Sequence, residues 1–367
     1  MIAAAAPIQR PADARLLVVD EGGTVSHHAR ASFLNFIHAG DVVIANDAAT
    51  LPASLIGVHS RTGSAVEIRL AGRHSLLPDE VARFDAVLFG AGDYRTATEY
   101  RPPPPAVQAG DAFCVGPLTA IVTKVLGHPR LVAIRFRHPA AEVWEALARH
   151  GRPIQYAYVP EPLALWDTWT RIASRPVAFE PPSASFILDW SVIGLIRARG
   201  ADFATITHAA GISSTGDVAL DARLPLDEPY EIPATTAALI ASARQSGGRV
   251  IAIGTTVVRA LEHAANGDGR VRAGCGVTTQ RIGPRSRLSV VDAILSGTHE
   301  RGTSHYDLLR AFHDDVVLER MEREADARGY RTHEFGDSVM LLKKREGLEG
   351  RDGVLSPLPP LSSISPS

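Results

Sequence analysis

One stretch of the sequence constrains the fold more than any other: a hydrophobic run that stops at a glycine and continues as a helix. Residues 249–262 are RVIAIGTTVVRALE, in which β-branched residues end at Gly254 and apolar residues then recur at helical spacing. The segments before it, FATITHAA and ATTAALIASARQSGG, predict a strand and a helix that ends at glycine. Strand, helix and strand at this spacing are typical of a βαβ unit, so we predict a parallel α/β sheet.

The segment from about residue 58 to residue 153 has a different character. It contains short strand candidates at close spacing, separated by glycine, proline and aspartate, which predicts a small β-barrel or sandwich. A chain of 367 residues is also longer than one hydrophobic core usually supports. We therefore predict a large α/β domain (1–57 and 154–350), interrupted by an inserted all-β, barrel-like domain (58–153) without catalytic groups. A flexible tail rich in Pro and Ser (351–367) is expected to follow.

The composition argues against several classes of protein. The formal net charge is −2, so any contact with RNA must come from local basic clusters. The two cysteines, Cys114 and Cys275, form no CxxC motif, so neither a disulfide framework nor a zinc site is expected. No apolar run approaches the roughly 20 residues needed to span a bilayer, and the start lacks the basic region of a signal peptide. We expect no bound metal, no membrane contact and a cytoplasmic location.

The change from strand to helix at Gly254 is the strongest candidate for a binding site. In sheets of this kind, ligands bind outside the carboxyl ends of the strands. The first N–H groups of the helix and the hydroxyls of Thr255 and Thr256 could hold a carboxylate or ribose oxygens. In the alternative interpretation, one of these threonines caps the helix, and Arg259 pairs with Glu262 on a solvated face.

Further segments, in the same order along the chain, resemble the motifs of one protein family. NDAATLPASL (46–55) is similar to N-D-T-R-V-x-P-A-R-L, VEIRL (66–70) to V-E-x-L-L, GRPIQYAYV (151–159) to the frame of G-x-x-P-L-P-P-Y-I, PSASFIL (182–188) to P-T-A-G-L-H-F, THAAGISS (207–214) to L-H-V-G-x-G-T-F, EPYEIP (228–233) to E-W/Y-Y-E-I-P, GTTVVRALE (254–262) to G-T-T-x-V-R-x-L-E, SVVDAILSGTHERGTS (289–304) to K-V-V-D-A-L-L-T-N-F-H-L-P-x-S-T, and EFGDSVMLL (334–342) to S-Y-G-D-A-M-F-I. Over residues 7–342 the chain therefore resembles the S-adenosylmethionine:tRNA ribosyltransferase-isomerases of queuosine biosynthesis, as a divergent member.

The resemblance implies an unusual use of S-adenosylmethionine, as a co-substrate that donates its ribosyl group. The acceptor is the aminomethyl group of 7-aminomethyl-7-deazaguanine in a tRNA anticodon, and the products are epoxyqueuosine, adenine and methionine. No metal or bound cofactor takes part. The sulfonium acidifies the neighbouring C5′ hydrogens and adenine is a poor leaving group, so the reaction needs a base and an acid.

The resemblance and the residue types together give the candidate site residues. The candidates for catalysis are His299, His208, Asp292 and Glu228. The candidates for substrate binding are Asn46, Asp47, Gly254, Thr255, Thr256, Arg259, Thr303 and Ser304. Structural roles remain as alternatives: His208 could be a hydrogen-bonded turn residue, Asp292 could cap a helix, and Thr303 or Ser304 is expected to cap the helix that follows.

Some motif positions carry different residues in this chain. Ala49 and Ser54 replace arginines, and Ile187 and Leu226 replace histidines, at positions that we expect to face the site. Three hypotheses follow: the tRNA acceptor is kept, the same donor chemistry serves a small-molecule acceptor, or the chain is a non-catalytic paralogue that binds a nucleoside or a partner. The retained polar residues favour an enzyme; they are Thr255, Thr256, Arg259, Asp292 and His299. The lost arginines and the near-neutral charge favour a changed acceptor over the tRNA acceptor.

Overall fold

The computed structural model describes residues 1–265 and 269–344. It has the predicted combination of an α/β sheet with helices and a small closed barrel. The predicted tail (351–367) lies outside the described residues. No helix within the described residues is long and apolar enough to cross a membrane.

Outside the barrel, strands and helices alternate along most of the chain. The first strands are β1 (Ile2–Ala3), β2 (Arg15–Val19), β3 (Val25–Ala29), β4 (Val42–Asn46) and β5 (Ala49–Thr50). The barrel strands are β6 (Ser54–His59), β7 (Ala65–Gly72), β8 (Arg83–Phe89), β9 (Ala112–Val115), β10 (Leu118–His128) and β11 (Leu131–Phe136). After the barrel come α1 (Ala140–His150), α2 (Leu165–Thr168), β12 (Pro176–Ala178), α3 (Trp190–Ala198), β13 (Asp202–His208), α4 (Val218–Asp221), β14 (Glu228–Ile232), α5 (Ala234–Gln245), β15 (Val250–Ile253), α6 (Thr255–Ala264), β16 (Gly274–Thr278), β17 (Ala293–Gly297), α7 (Ser304–Leu309), α8 (Asp315–Ala327), β18 (Arg331–Thr332) and β19 (Ser338–Leu342). Short 3-10 helices cover Arg30–Phe36, Pro78–Glu80, Thr98–Tyr100 and Ser183–Ile187.

The main sheet contains nine strands in the order β16-β14-β13-β4-β15-β17-β19-β2-β3. Its central strands β13, β4, β15 and β17 run parallel, as the βαβ pattern predicts. In β4, Val42 and Ile44 pack in the core on one face, whereas Val43 and Ala45 pack in the core on the other. Because side chains alternate along a strand, a strand that is apolar at every position requires cover on both faces.

The barrel is formed by strands β6 to β11, in the closed order β10-β11-β8-β7-β6-β9. Four phenylalanines, Phe84, Phe89, Phe113 and Phe136, lie in its core. The strands of the main sheet come from residues before and after this segment. The predicted boundary after residue 57 falls inside β6, and the division of the chain into domains stays a prediction.

Candidate active site

The carboxyl ends of the four parallel strands meet at one edge of the main sheet. β4 ends at Asn46, β13 at His208 and β17 at Gly297, and Gly254 directly follows β15. Segments that are far apart in sequence therefore converge at one edge, which is where sheets of this type bind ligands.

A cavity of about 730 Å³, including the open space at its mouth, lies at this edge. The predicted site residues that line it are Gly254, Thr255, Thr256, Arg259, Glu228, His299 and Ser304. Other residues of its wall, which were not predicted, include Glu180, Gly211, Ser213, Ser296 and His305. The cavity thus brings together residues from both sides of β15 and from the loop after β17.

Gly254 turns the chain from β15 into α6. Its φ is +97°, a backbone conformation that favours glycine. No side chain caps the amino end of α6, so neither Thr255 nor Thr256 has the capping role of the alternative interpretation. The Oγ1 of Thr256 lies 3.4 Å from the Nδ2 of Asn46, which also donates to the carbonyl of His208 at 2.9 Å. Asn46 therefore contacts Thr256, a residue of the cavity wall, without lining the cavity itself.

Arg259 and Glu228 form a buried ion pair on the cavity wall. The Nη1 of Arg259 donates to the Oε2 of Glu228, and the N–H of Gly211 donates to the Oε1 at 2.6 Å. The alternative pairing of Arg259 with Glu262 is wrong, because the Glu262 carboxylate instead accepts hydrogen bonds from the backbone N–H groups of residues 289–291. Burial raises the pKa of the Glu228 carboxyl, against the opposing effect of Arg259.

His208 lies behind this ion pair, at the end of β13. Its Nε2 is 3.4 Å from the Oε2 of Glu228 and 3.3 Å from the Oγ1 of Thr278. Its Nδ1 is buried without a hydrogen-bond partner among the described residues. Burial, together with the charge of Arg259, lowers the pKa of His208 well below its usual value. This neutral imidazole is placed to orient Glu228 rather than to touch a ligand in the cavity.

His299 and His305 lie side by side on the cavity wall, with ring centroids 4.6 Å apart. The Nε2 of His299 is 2.9 Å from the Oγ of Ser296. Burial lowers the pKa of His299 well below its usual value and that of His305 to about 4. Both rings are therefore neutral at pH 7, the form in which an imidazole can accept a proton.

The loop from His299 leads directly into α7. The Oγ1 of Thr303 accepts a hydrogen bond from the N–H of Tyr306 at 3.2 Å and caps this helix, so the predicted capping role is confirmed for Thr303. Ser304, the first residue of α7, lines the cavity. The cap by Thr303 thus fixes the end of the loop that contains His299.

Of the predicted site residues, Asn46, His208 and Thr303 contact or adjoin the cavity wall without lining it, and Asp47 and Asp292 also lie outside the cavity. The Asp47 carboxylate accepts hydrogen bonds from the hydroxyls of Thr205 and Thr207, at 3.1 and 2.7 Å. Asp292 lies at the amino end of β17, at the opposite edge of the sheet, where its Oδ2 accepts from the N–H of Val250 at 2.8 Å. Asp292 precedes a strand, so the helix-capping alternative is wrong, and the structure does not bring this residue to the other catalytic candidates.

A second group of polar residues at this site was not predicted from the sequence. Glu180 lines the cavity, is 8% exposed and accepts a hydrogen bond from the hydroxyl of Tyr156. The hydroxyl of Tyr158 donates in the same way to Glu334. Burial raises the pKa of Glu180 to about 7, and the charge of Glu334 adds to this effect. One signal was present in the sequence: Tyr156 and Glu334 stand where the resembled motifs have proline and serine.

The raised pKa of Glu180 predicts that stability falls as pH rises. Its usual pKa is 4.5 and its pKa in the folded chain is about 7, so between these values the folded chain binds more protons than the unfolded chain. The loss should reach about 3 kcal/mol by pH 8. Glu180→Gln should remove this loss of stability, so that the variant is more stable than the wild type at pH 8 and equal to it at pH 4.5. Urea unfolding at the two pH values measures this, and equal stability of the two proteins at pH 8 would contradict it.

This chain is similar to known proteins over most of its length. A family model described as "Queuosine biosynthesis protein" matches residues 1–341. The chain belongs to the queuosine biosynthesis protein family. It is similar to two curated relatives named S-adenosylmethionine:tRNA ribosyltransferase-isomerase. The relative from Sorangium cellulosum (strain So ce56) is 31% identical over 93% of this chain and 95% of its own. The relative from Azoarcus sp. (strain BH72) is also 31% identical, over 93% of this chain and 94% of its own.

A solved structure is also similar to this member of the queuosine biosynthesis protein family. It is the S-adenosylmethionine tRNA ribosyltransferase from Thermotoga maritima, with 20% sequence identity and a TM-score of 0.49. The match covers 93% of this chain and 96% of that chain. Within the described residues of the present chain, no group of three or more His, Cys, Asp or Glu side chains could hold a metal ion.

The two replaced arginines and the two replaced histidines do not line the cavity, whereas Ile212 and Gly297, which also differ from the family motifs, do line it. Ala49 pairs with Pro176 in a separate two-stranded sheet, and Ile187 packs in the core on one face of the main sheet. Leu226 packs against the barrel core, and the Oγ of Ser54 donates to the buried Glu67 carboxylate at 2.7 Å. The expectation that these positions face the site is not met, because packing holds each of them elsewhere. These four positions therefore give no reason to infer a lost substrate contact.

Proposed function

We propose that this chain transfers the ribosyl group of S-adenosylmethionine to an amine in tRNA, with release of adenine and methionine. The acceptor in this proposal is 7-aminomethyl-7-deazaguanine, and the product is epoxyqueuosine. The observation that carries the proposal is the family match over residues 1–341, whose signature-like segment 254–262 begins on the cavity wall. A changed, small-molecule acceptor is the alternative within the same donor chemistry.

The donor would bind at the amino end of α6. The N–H groups of the first turn carry partial positive charge and suit the carboxylate or the ribose oxygens of S-adenosylmethionine. The hydroxyls of Thr255 and Thr256 offer further hydrogen bonds. Arg259 supplies a cation whose position is fixed by Glu228, so it can hold a negatively charged group without having to be ordered first.

His299 would move the proton. As a neutral base it accepts a proton from the C5′ carbon of the ribose, and the electron pair of the C–H bond stays on the carbon next to the sulfonium. The imidazolium that results can return this proton to adenine as the bond from the ribose to adenine breaks. The hydrogen bond to Ser296 orients the ring for both steps.

The remaining assignments are also proposals. We infer that the inserted domain, predicted at residues 58–153 and with its barrel strands at residues 54–136, has no catalytic groups. We infer that the chain works in the cytoplasm, where its tRNA partner is found. Asn46 and His208 would act by positioning Thr256 and Glu228, which they contact.

The test is conversion of a defined tRNA. The purified chain is incubated with S-adenosylmethionine and a tRNA bearing 7-aminomethyl-7-deazaguanine at the wobble position, and the digested nucleosides are analysed by mass spectrometry. We expect epoxyqueuosine from this tRNA and no product from the same tRNA with guanine at that position. Binding of S-adenosylmethionine without any turnover would contradict the proposal and favour a non-catalytic paralogue.

A further inference from the structure

A second cavity adjoins the first and has an acidic wall. It occupies about 1120 Å³, including open space, and shares Ser213, His299 and His305 with the first cavity. Its acidic lining residues are Glu99, Glu300 and Glu334. Neither lysine nor arginine is among its described lining residues. Because the two histidines that separate the cavities are neutral, the second cavity should have a negative potential next to the donor site.

A pair of tyrosines holds one carboxylate of each cavity, because Glu180 lines the first cavity and Glu334 lines the second. The rings of Tyr156 and Tyr158 stack with centroids 5.8 Å apart, and their hydroxyls donate to Glu180 and Glu334, respectively. Glu334 is close enough for its charge to raise the pKa of Glu180. Among the described residues, the hydrogen-bond partners of Glu180 are Tyr156 and Ser213, both neutral. Arg69 lies 5.7 Å from the centroid of the Tyr156 ring and forms its ion pair with Glu67.

This arrangement costs free energy in the absence of a ligand. Glu180 is 8% exposed, and a buried carboxylate without a cation is unfavourable. A second carboxylate nearby makes the ionised form less favourable still. A cation between the two would satisfy both, and a protein retains such an unbalanced buried group where function requires it. The buried Glu180 and the half-buried Glu334, which face cavities and have neutral hydrogen-bond partners, therefore indicate a cationic ligand.

We propose that Glu180 and Glu334 determine acceptor specificity by binding the ammonium group of the acceptor beside the donor. This inference rests on the proposed function, since it assigns the second cavity to the acceptor of that reaction. The shared residues His299 and Ser213 put the bound nitrogen next to the cavity that would hold the ribosyl group. Before the nitrogen can form a bond to the ribose, it must lose a proton. That proton passes to the carboxylate of Glu180, and the electron pair of the N–H bond becomes the attacking lone pair. The new N–C bond replaces a bond from the ribosyl group to adenine or methionine, which leaves with the electron pair of that bond.

The same ammonium could belong to a modified base in tRNA or to a free small molecule. The negative wall formed by Glu99 and Glu300 disfavours phosphates in the second cavity itself. If the amine is carried by tRNA, the modified base would therefore have to enter the second cavity while the phosphates of the tRNA stay outside it. Binding experiments with both sources distinguish the two.

The experiment measures binding by calorimetry, at pH 7 and with saturating S-adenosylmethionine. The probes are free 7-aminomethyl-7-deazaguanine, free 7-methyl-7-deazaguanine, and an anticodon stem-loop carrying the aminomethyl base. Glu334→Ser and Glu180→Gln should each weaken binding of the aminomethyl probe by about 10- to 100-fold, the usual effect of losing a charge-assisted hydrogen bond. The methyl probe lacks the ammonium and should bind the wild type and both variants alike. Preference of the wild type for the free base or for the stem-loop identifies the source of the amine.

Proton release gives a readout that a merely structural role would not change. Calorimetric titrations in buffers of different ionisation enthalpy count the protons that are released on binding. The wild type should release protons as the amine binds, because a bound cation favours the ionised form of Glu180. The Glu180→Gln variant should release no protons on binding, although at pH 8 it is expected to be more stable than the wild type. Unchanged affinity in both variants, or no binding of either aminomethyl probe to the wild type, would overturn the inference. If the variants release adenine normally and bind the acceptor as tightly as the wild type, the inference alone is refuted. If amine binding depends on the two carboxylates but the wild type releases no adenine, the proposed function alone is refuted.

Discussion

Replacing His299 with alanine should lower the rate of adenine release by about 100-fold or more, because the reaction then lacks its proton acceptor. The imidazole lines the cavity, is hydrogen-bonded to Ser296 and is neutral at pH 7. Single-turnover measurements with S-adenosylmethionine report the chemical step directly. The affinity for S-adenosylmethionine should change little, since the imidazole is not assigned to ground-state binding.

The matched control for this variant is His305→Ala. Its ring lies 4.6 Å from that of His299 and is equally neutral, but it is not hydrogen-bonded to Ser296. We expect a smaller loss of rate in this control, and unfolding transitions close to that of the wild type in both variants. Undiminished adenine release in His299→Ala would remove this residue from the mechanism.

Replacing Arg259 with alanine should destabilise the fold by about 3–5 kcal/mol, because the buried carboxylate of Glu228 loses its cation. Glu228 is 4% exposed and Arg259 5% exposed, so water cannot replace the lost partner readily. The same change should weaken binding of S-adenosylmethionine, since the proposed donor site loses its only assigned positive charge. Urea unfolding and calorimetric titration measure the two effects separately.

A double variant separates the electrostatic cause from a loss of packing. Adding Glu228→Gln to Arg259→Met removes both charges, so much of the lost stability should return while donor binding stays weak. Arg281→Ala is a matched control, because Arg281 lies in a neighbouring cavity with Arg259 and donates to the backbone carbonyl of Ala222. Equal affinity for S-adenosylmethionine in Arg259→Ala and the wild type would contradict the placement of the donor.

The parts of the fold that could be predicted are those with a local signal. The run before Gly254 is apolar at every position and stops at a residue that suits a positive φ, so both the buried strand and the start of the helix follow from the sequence. Closely spaced short strands similarly indicate the barrel. The start of the barrel at Ser54, instead of residue 58, was not predicted, because apolar residues occur on both sides of that position.

The parts of the site that could not be predicted depend on contacts between distant segments. Arg259 and Glu262 have the spacing of a helical ion pair, yet each is held by a partner at least 27 positions away. Glu180, Tyr156 and Glu334 come from three segments without helical or strand periodicity, and their proximity depends on how the loops pack. Local patterns report which face of an element is buried, but not which loops meet above it.

The most direct test of the central claim is the fate of S-adenosylmethionine itself. The purified chain is incubated with it, with and without tRNA bearing 7-aminomethyl-7-deazaguanine, and the small-molecule products are quantified by mass spectrometry. If the chain uses S-adenosylmethionine as a ribosyl donor, adenine and methionine appear in equal amounts and rise together with the modified tRNA. Formation of S-adenosylhomocysteine, or recovery of S-adenosylmethionine unchanged with that tRNA present, would contradict the claim.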